Sequence, residues 1–157
     1  MFSVTAEYAL RAMIYLALHT DKPAPGRLIA EGTGSPSRYL SRVLRDLTNA
    51  GLLRAYRGPT GGFELARDAS EISVLDVVNV VDPIRRIERC PLNIESHGKN
   101  LCRLHQRLDE SIAVLERVLA NSRITDLIVP SAEGSMPLTP TNSCPVVRTE
   151  SPLCDSE

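Results

Sequence analysis

Residues 35–67 read SPSRYLSRVLRDLTNAGLLRAYRGPTGGFELAR, and the spacing within this stretch decides the fold class. Leu40, Leu44 and Leu47 stand at i, i+4 and i+7, a repeat that gathers three side chains into one stripe of an α-helix. Arg38, Arg42 and Arg45 repeat that spacing two positions earlier, about 200° around a helix at 3.6 residues per turn. One face of such a helix packs inward while nearly the opposite face presents three guanidinium groups. Ser35-Pro36 reads as an N-cap followed by proline at the first helical position, and Gly51 as the C-terminal stop. Alone, this pattern also describes a solvated basic face. It is followed, however, by two short strand-like runs, Leu52–Arg57 and Phe63–Arg67, around the turn Gly58-Pro59-Thr60-Gly61-Gly62.

Upstream, Thr5–His19 is rich in Ala, Leu, Met and Tyr with no Gly or Pro, and reads as a helix. Asp21–Gly26 holds two prolines and reads as a loop. Arg27–Glu31 reads as a short helix stopped by Gly32-Thr33-Gly34. A short helix, a glycine-containing turn, a helix with an arginine face and then a hairpin is the order of a winged helix-turn-helix. The expected class is therefore mainly α with a small β-hairpin wing, plus a long dimerisation helix described below. In that arrangement the second helix enters the major groove of double-stranded DNA and the wing reaches a flanking phosphate. The DNA-facing candidates are Ser35, Ser37, Arg38, Tyr39, Arg42 and Arg45 on the helix, with Arg57, Gly58, Thr60 and Gly61 on the wing.

The net charge of −1 hides a split that agrees with this reading. Residues 1–67 carry nine Lys+Arg against five Asp+Glu, a net of +4, while the remaining 90 carry nine against fourteen, a net of −5. The N-terminal part is thus the candidate for a polyanion partner. Aromatic residues at 4 %, with no Trp, leave little material for stacking on single-stranded nucleic acid. No apolar run approaches the roughly 18 residues of a membrane span, and the start Met-Phe-Ser-Val-Thr-Ala-Glu lacks secretory character. A cytoplasmic protein is expected, in which the four cysteines stay reduced and suit metal ligation or redox sensing better than structural disulfides.

Downstream, Ser73-Val74-Leu75-Asp76 has the form of a capping box opening a helix that ends near Asp82-Pro83. Cys90–Asn100 reads as a loop. A long helix is expected from Leu101 to about Val129, with Leu101, Leu104, Leu108, Ile112, Leu115 and Leu119 forming a narrow apolar seam. Such a seam packs against another helix, either within the chain or in a second subunit. Beyond Val129, prolines at 130, 137, 140, 145 and 152 and the absence of any period read as a disordered tail. Its Cys144 and Cys154 read as bystander thiols. Three units follow: 1–82 for DNA binding, 83–129 for a sensor loop and dimerisation helix, and 130–157 as tail.

The stretches Thr5–His19, Arg57–Phe63 and Ser73–Val81 together resemble the Rrf-two family of bacterial winged-helix transcription regulators, several of which sense through iron–sulfur clusters. The resemblance covers residues 1 to about 129. It implies a homodimer whose long helices cross, with recognition helices spaced for two half-sites of a palindromic operator, and no enzymatic activity. It also places Cys90, Cys102 and His105 in the family's sensor loop and dimer helix. Cluster-binding members carry three cysteines six residues apart and, in one subgroup, a histidine three residues further on. Cys90 and Cys102 match the first and third cysteines and His105 the histidine, whereas the middle position is Ser96, followed by His97. Cys102 and His105 stand at i and i+3 of one helix face, which suits a shared metal. Mixed Cys/His ligation and the missing middle cysteine point to a 2Fe-2S cluster rather than a four-iron one. Glu7 matches the first-helix position from which some members contribute a carboxylate across the dimer. It also suits the helix macrodipole as a plain first-turn acid, and Ser96 and His97 are its rivals as fourth ligand. Two other readings stay open: a cluster-free regulator of the same fold sensing through thiol oxidation or a protein partner, and a small metalloenzyme using Cys90, Cys102 and His105.

Overall fold

In the computed structural model, residues 2–58, 60–89 and 101–128 are described. Along these the order is α1 (Val4–Leu18), α2 (Gly26–Thr33), α3 (Ser37–Asn49), β1 (Leu53–Tyr56), β2 (Gly62–Leu65), α4 (Val74–Val81), α5 (Arg103–Asn121) and a 3-10 turn (Ile124–Leu127). The expected loop Cys90–Asn100 and the tail with Cys144 and Cys154 lie outside the described residues.

α1 is the centre of the fold, touching α2, α3, α4, β2 and the 3-10 turn. Its buried face is Ala6, Ala9, Ala12, Met13 and Leu16, and the three alanines let neighbouring helices approach closely. The Ser3 hydroxyl accepts the Ala6 N–H at 3.2 Å as N-cap, while the Ser3 N–H donates to Asp82 Oδ2 at 3.1 Å. The start of the chain is thereby tied to the end of α4.

The stripe read from α3 is the one that packs: Leu40, Val43, Leu44 and Leu47 are all buried. One detail differs from expectation. Pro36, not Ser35, occupies the N-cap of α3, and the Ser35 side chain is buried 2.9 Å from the Thr33 hydroxyl. The turn before α3 uses Gly34 at φ 64, so the buried Thr33–Ser35 pair fastens the α2–α3 corner from within. Gly51, at φ 74, follows α3 as its stop.

β1 and β2 pair antiparallel with Leu53 opposite Leu65 and Tyr56 opposite Gly62. The α1–α2 loop adds a bridge, since Ala24 and Phe63 exchange N–H···O bonds at 2.9 Å in both directions. A Cβ at Gly62 would stand 2.5 Å from the Ala24 carbonyl group, so only glycine permits this approach. α4 opens with the expected capping box: the Ser73 hydroxyl accepts from the Asp76 N–H at 3.0 Å and Asp76 Oδ2 accepts from the Ser73 N–H at 3.1 Å.

α5 differs most from its sequence reading, because the helix ends at Asn121 and not near Val129. Ser122 turns extended, with φ −87 and ψ 128. Its carbonyl accepts the Val74 N–H at 2.9 Å, and the Ile124 N–H donates to the Ile72 carbonyl at 3.0 Å. Ile124 is fully buried in the core with Ile72 and Val77. Leaving the helix satisfies two backbone groups and buries an isoleucine in the winged-helix core, which outweighs another exposed turn.

Candidate functional site: a nucleic-acid interface and a Cys–His pair

Arg38, Arg42 and Arg45 are exposed along α3, opposite its buried leucines, as the spacing requires. Arg42 Nε lies 3.9 Å from Asp46 Oδ2, a long pairing that leaves its side chain 79 % exposed. Ser37 and Tyr39 are exposed beside them, Tyr39 at 64 %. Ser35, expected on this surface, is turned inward, so its hydroxyl serves the α2–α3 corner and does not face outward. On the wing, Arg57, Gly58 and Thr60 are exposed, with Gly58 at φ 109. Gly61, anticipated on this surface, also has a structural part in the turn. Its N–H is engaged with the Gly58 carbonyl at 3.0 Å, and a Cβ there would come within 2.3 Å of the Tyr56 carbonyl oxygen. It shapes the turn that presents its neighbours.

The wing also carries a set that the turn-centred reading missed. Arg54 and Tyr56 stand two residues apart on β1, hence on one face, with Glu64 opposite Arg54 on β2. The Tyr56 hydroxyl donates to Glu64 Oε1 at 2.5 Å, and this bond holds the phenol above its usual pKa. Strand alternation was the signal that could have found it. If this surface docks as a recognition helix with a wing, Arg42→Ala removes a groove contact of about 1–3 kcal/mol and weakens specific binding. Arg57→Ala should instead weaken all sequences evenly and lower the salt slope by roughly one ion. Titrations of the two variants against promoter and unrelated duplexes at several salt concentrations check both; unchanged affinities would refute the docking.

Cys102 is the N-cap of α5 and makes no side-chain cap bond to the helix. Its Sγ lies 3.2 Å from His105 Nδ1. His105 is the one buried residue of α5, while the helix around it is largely exposed. Two soft-to-borderline ligands thus converge at a helix N-terminus, where the partial positive charge favours an anionic group. Among the described residues no group of three or more Cys, His, Asp or Glu side chains gathers around a common metal position. Glu7 is exposed in the first turn of α1 and is not part of this pair within one chain. Cys90, Ser96 and His97 lie outside the described residues.

The seam of α5 is uncovered in the single chain. Leu104 is 65 % exposed and Leu108 47 %, with Val114, Leu115 and Val118 also exposed. No helix among the described residues is long and apolar enough to cross a membrane.

Comparison with known proteins agrees with this geometry. A sequence model of the Rrf2 family, described as iron-dependent transcriptional regulator, matches residues 2–130. The HTH-type transcriptional regulator IscR of Yersinia pseudotuberculosis is 34 % identical over 122 residues, which cover 77 % of this chain and 74 % of that protein. Among solved structures, CymR, the global cysteine regulator of B. subtilis, superposes with a TM-score of 0.68 at 25 % identity, covering 82 % of this chain and 95 % of that one. IscR of T. potens superposes with a TM-score of 0.67 at 26 % identity, covering 82 % and 85 %. These relatives are regulators and not enzymes, which removes the metalloenzyme reading. With its α3 arginine face, its wing and these relatives, the chain belongs to the Rrf2 family and is a DNA-binding transcription regulator.

Proposed function

We propose that this regulator works in the cytoplasm as a homodimer on a palindromic operator, and that it reads redox, nitric-oxide or iron–sulfur status through a 2Fe-2S cluster. Cys90, Cys102 and His105 hold the cluster, and Glu7 of the partner subunit supplies the fourth ligand, with Ser96 and His97 as rivals. The carrying observation is the Cys102–His105 pair, with sulfur and imidazole nitrogen 3.2 Å apart at the start of α5. Thiolate and imidazole are both competent iron ligands, so the donor chemistry of the pair fits the group. The uncovered seam of α5 supports the dimer, because a second copy would bury it. When bound, the cluster supplies a one-electron change in charge. The residues do the rest: Cys102 and His105 fix one side of the site to α5, and Glu7 lies on the helix that packs against α3.

Protein purified without oxygen is expected to be coloured, with iron and sulfide in equal amounts, two of each per cluster. Cys102→Ala and His105→Ala remove or shift the visible absorption, and Glu7→Ala changes the reduction potential while retaining iron. A colourless wild-type protein with no iron would sink the cluster reading and leave thiol oxidation at Cys90 and Cys102 as the sensing chemistry.

A further inference from the structure

Beyond the packing of α5 on α4, bonds at two separate places among the described residues join α5 to the rest of the chain. At its foot, Ser122 and Ile124 are bonded to Val74 and Ile72. In its first half, Arg86 donates from Nε to Asp109 Oδ1 at 2.7 Å and from Nη2 to Oδ2 at 2.5 Å, a two-pronged clamp. The same Asp109 Oδ1 accepts the Ile87 N–H at 2.9 Å, and Arg86 Nη1 lies 3.5 Å from Glu116 Oε2. Asp109 and Glu116 stand at i and i+7, on one stripe of the helix. The Asp109 side chain is only 18 % exposed, so this is not the loose pairing of two solvated ends. The Arg86 bonds and then the Ile87 N–H hold the Asp109 carboxyl down at a pKa of about 2, which keeps the pairing charged across the working range. The segment that carries Arg86 is itself tied down. Asp82 Oδ2 accepts the Ser3 N–H at 3.1 Å, and Asn79 Oδ1 accepts the Ile84 N–H at 3.1 Å. Bonds therefore run from α1 and α4 through the clamp to α5.

A rod bonded at two places keeps its direction, whereas a rod bonded at one place pivots. We propose that Arg86 and Asp109 are positioning residues for operator recognition: they fix the angle between α5 and the α3 surface, and so set the half-site separation that the dimer accepts. This inference rests on the reading of α5 as the dimerisation helix and needs no metal. The leverage is large enough to matter. From Asp109 to Ser122 is 13 residues, about 20 Å along a helix. A pivot of about 10° at the foot moves the clamped end by about 3.5 Å, close to the rise of one base pair, about 3.4 Å. With the clamp released, each winged-helix body gains that freedom relative to the paired α5 helices. Half-sites one base pair nearer or farther then come within reach of both recognition helices at once.

The test uses the full-length protein and the duplex it protects in its own promoter region, as found and with one base pair inserted or removed between the half-sites. A third duplex carries one half-site alone. In anisotropy titrations the wild-type affinity should fall about tenfold or more on the one-base-pair change, because simultaneous engagement is lost. Arg86→Ala and Asp109→Ala should each lose only about two- to threefold on the same change, with wild-type affinity for the single half-site. A variant that was merely less stable would lose the half-site as well. Arg107→Ala, which removes an exposed pair with Glu110 at 3.0 Å, should keep the wild-type spacing profile. Sedimentation equilibrium separates the two ways of failing. A monomeric wild-type protein sinks the dimer reading, and the clamp's role with it. A dimeric wild type whose clamp variants keep its spacing profile, or lose half-site binding in step with it, overturns the clamp alone.

Discussion

If α5 forms the seam of the proposed dimer, replacing Leu104 and Leu108 together by aspartate should turn that dimer into monomers that keep the winged-helix fold. Both leucines sit on the seam of α5, and both are largely exposed in the single chain, at 65 % and 47 %. The core therefore does not need them, and thermal unfolding of the monomer should be little changed. Full burial of an exposed leucine contributes about 1.5–3 kcal/mol, and about half of each remains to be covered, so the four in a symmetric pair contribute roughly 3–7 kcal/mol. Four buried carboxylates in their place add a desolvation cost on top. A monomer presents one recognition helix where the dimer presents two, and loses the advantage of binding the second half-site intramolecularly. Operator affinity should fall roughly 10²- to 10⁴-fold. Sedimentation equilibrium and anisotropy titrations on a duplex from the protein's own promoter measure the two effects. A double variant that stays dimeric with intact affinity would show that the seam is not the interface.

The readable features were those in which a local rule and the tertiary fold ask for the same thing. The Leu40/Leu44/Leu47 stripe is buried as read, because helix α3 has no other apolar face to offer the core. The Ser73–Asp76 box is present because it satisfies its own backbone whatever surrounds it. The end of α5 was not readable. Leu119 is the last member of the seam, since Ser122 and Arg123 stand at the next two seam positions, but no Gly or Pro marks an end before Pro130. The break comes from strand-like bonds to Ile72 and Val74, some fifty residues earlier, a cause that no window of sequence contains. The Arg86–Asp109 clamp was hidden for the same reason: two charged residues 23 positions apart in a segment without period look like ordinary solvated charges. Ser35 is the opposite error. A good N-cap residue sat before a proline, but the αL turn at Gly34 folds its hydroxyl inward onto Thr33 and leaves the cap to Pro36. At the candidate metal site, the pairing of Cys102 with His105 followed from their i, i+3 spacing, whereas Cys90 lies outside the described residues.

Ile124→Ala should be among the most damaging single changes to stability, although it lies outside the segment that carries the DNA-binding motif. The side chain is fully buried among the winged-helix residues, and its N–H is bonded to Ile72. Removing three carbons from a filled site loses transfer energy and leaves a cavity, together about 2–5 kcal/mol. Against a total of roughly 5–15 kcal/mol for a domain, that is a large fraction. A fall of about 5–20 °C in Tm follows for a chain of this size. Leu127, in the same 3-10 turn but 44 % exposed, is the natural control; its alanine variant should stay within about 0.5 kcal/mol of wild type. The pattern of what survives is as informative as the loss. Cys102, His105, Leu104 and Leu108 lie toward the start of α5, about 20–28 Å along the helix axis from its last residue. Under the proposed function, Ile124→Ala should therefore retain the dimer and the cluster's visible absorption under conditions where DNA binding has begun to fail. Urea unfolding followed at once by circular dichroism, visible absorption and DNA binding separates these, with the midpoint of DNA binding lowered more than that of visible absorption. An Ile124→Ala midpoint equal to wild type would mean that the foot of α5 is not part of the DNA-binding core, and that the helix is joined to it only along α4.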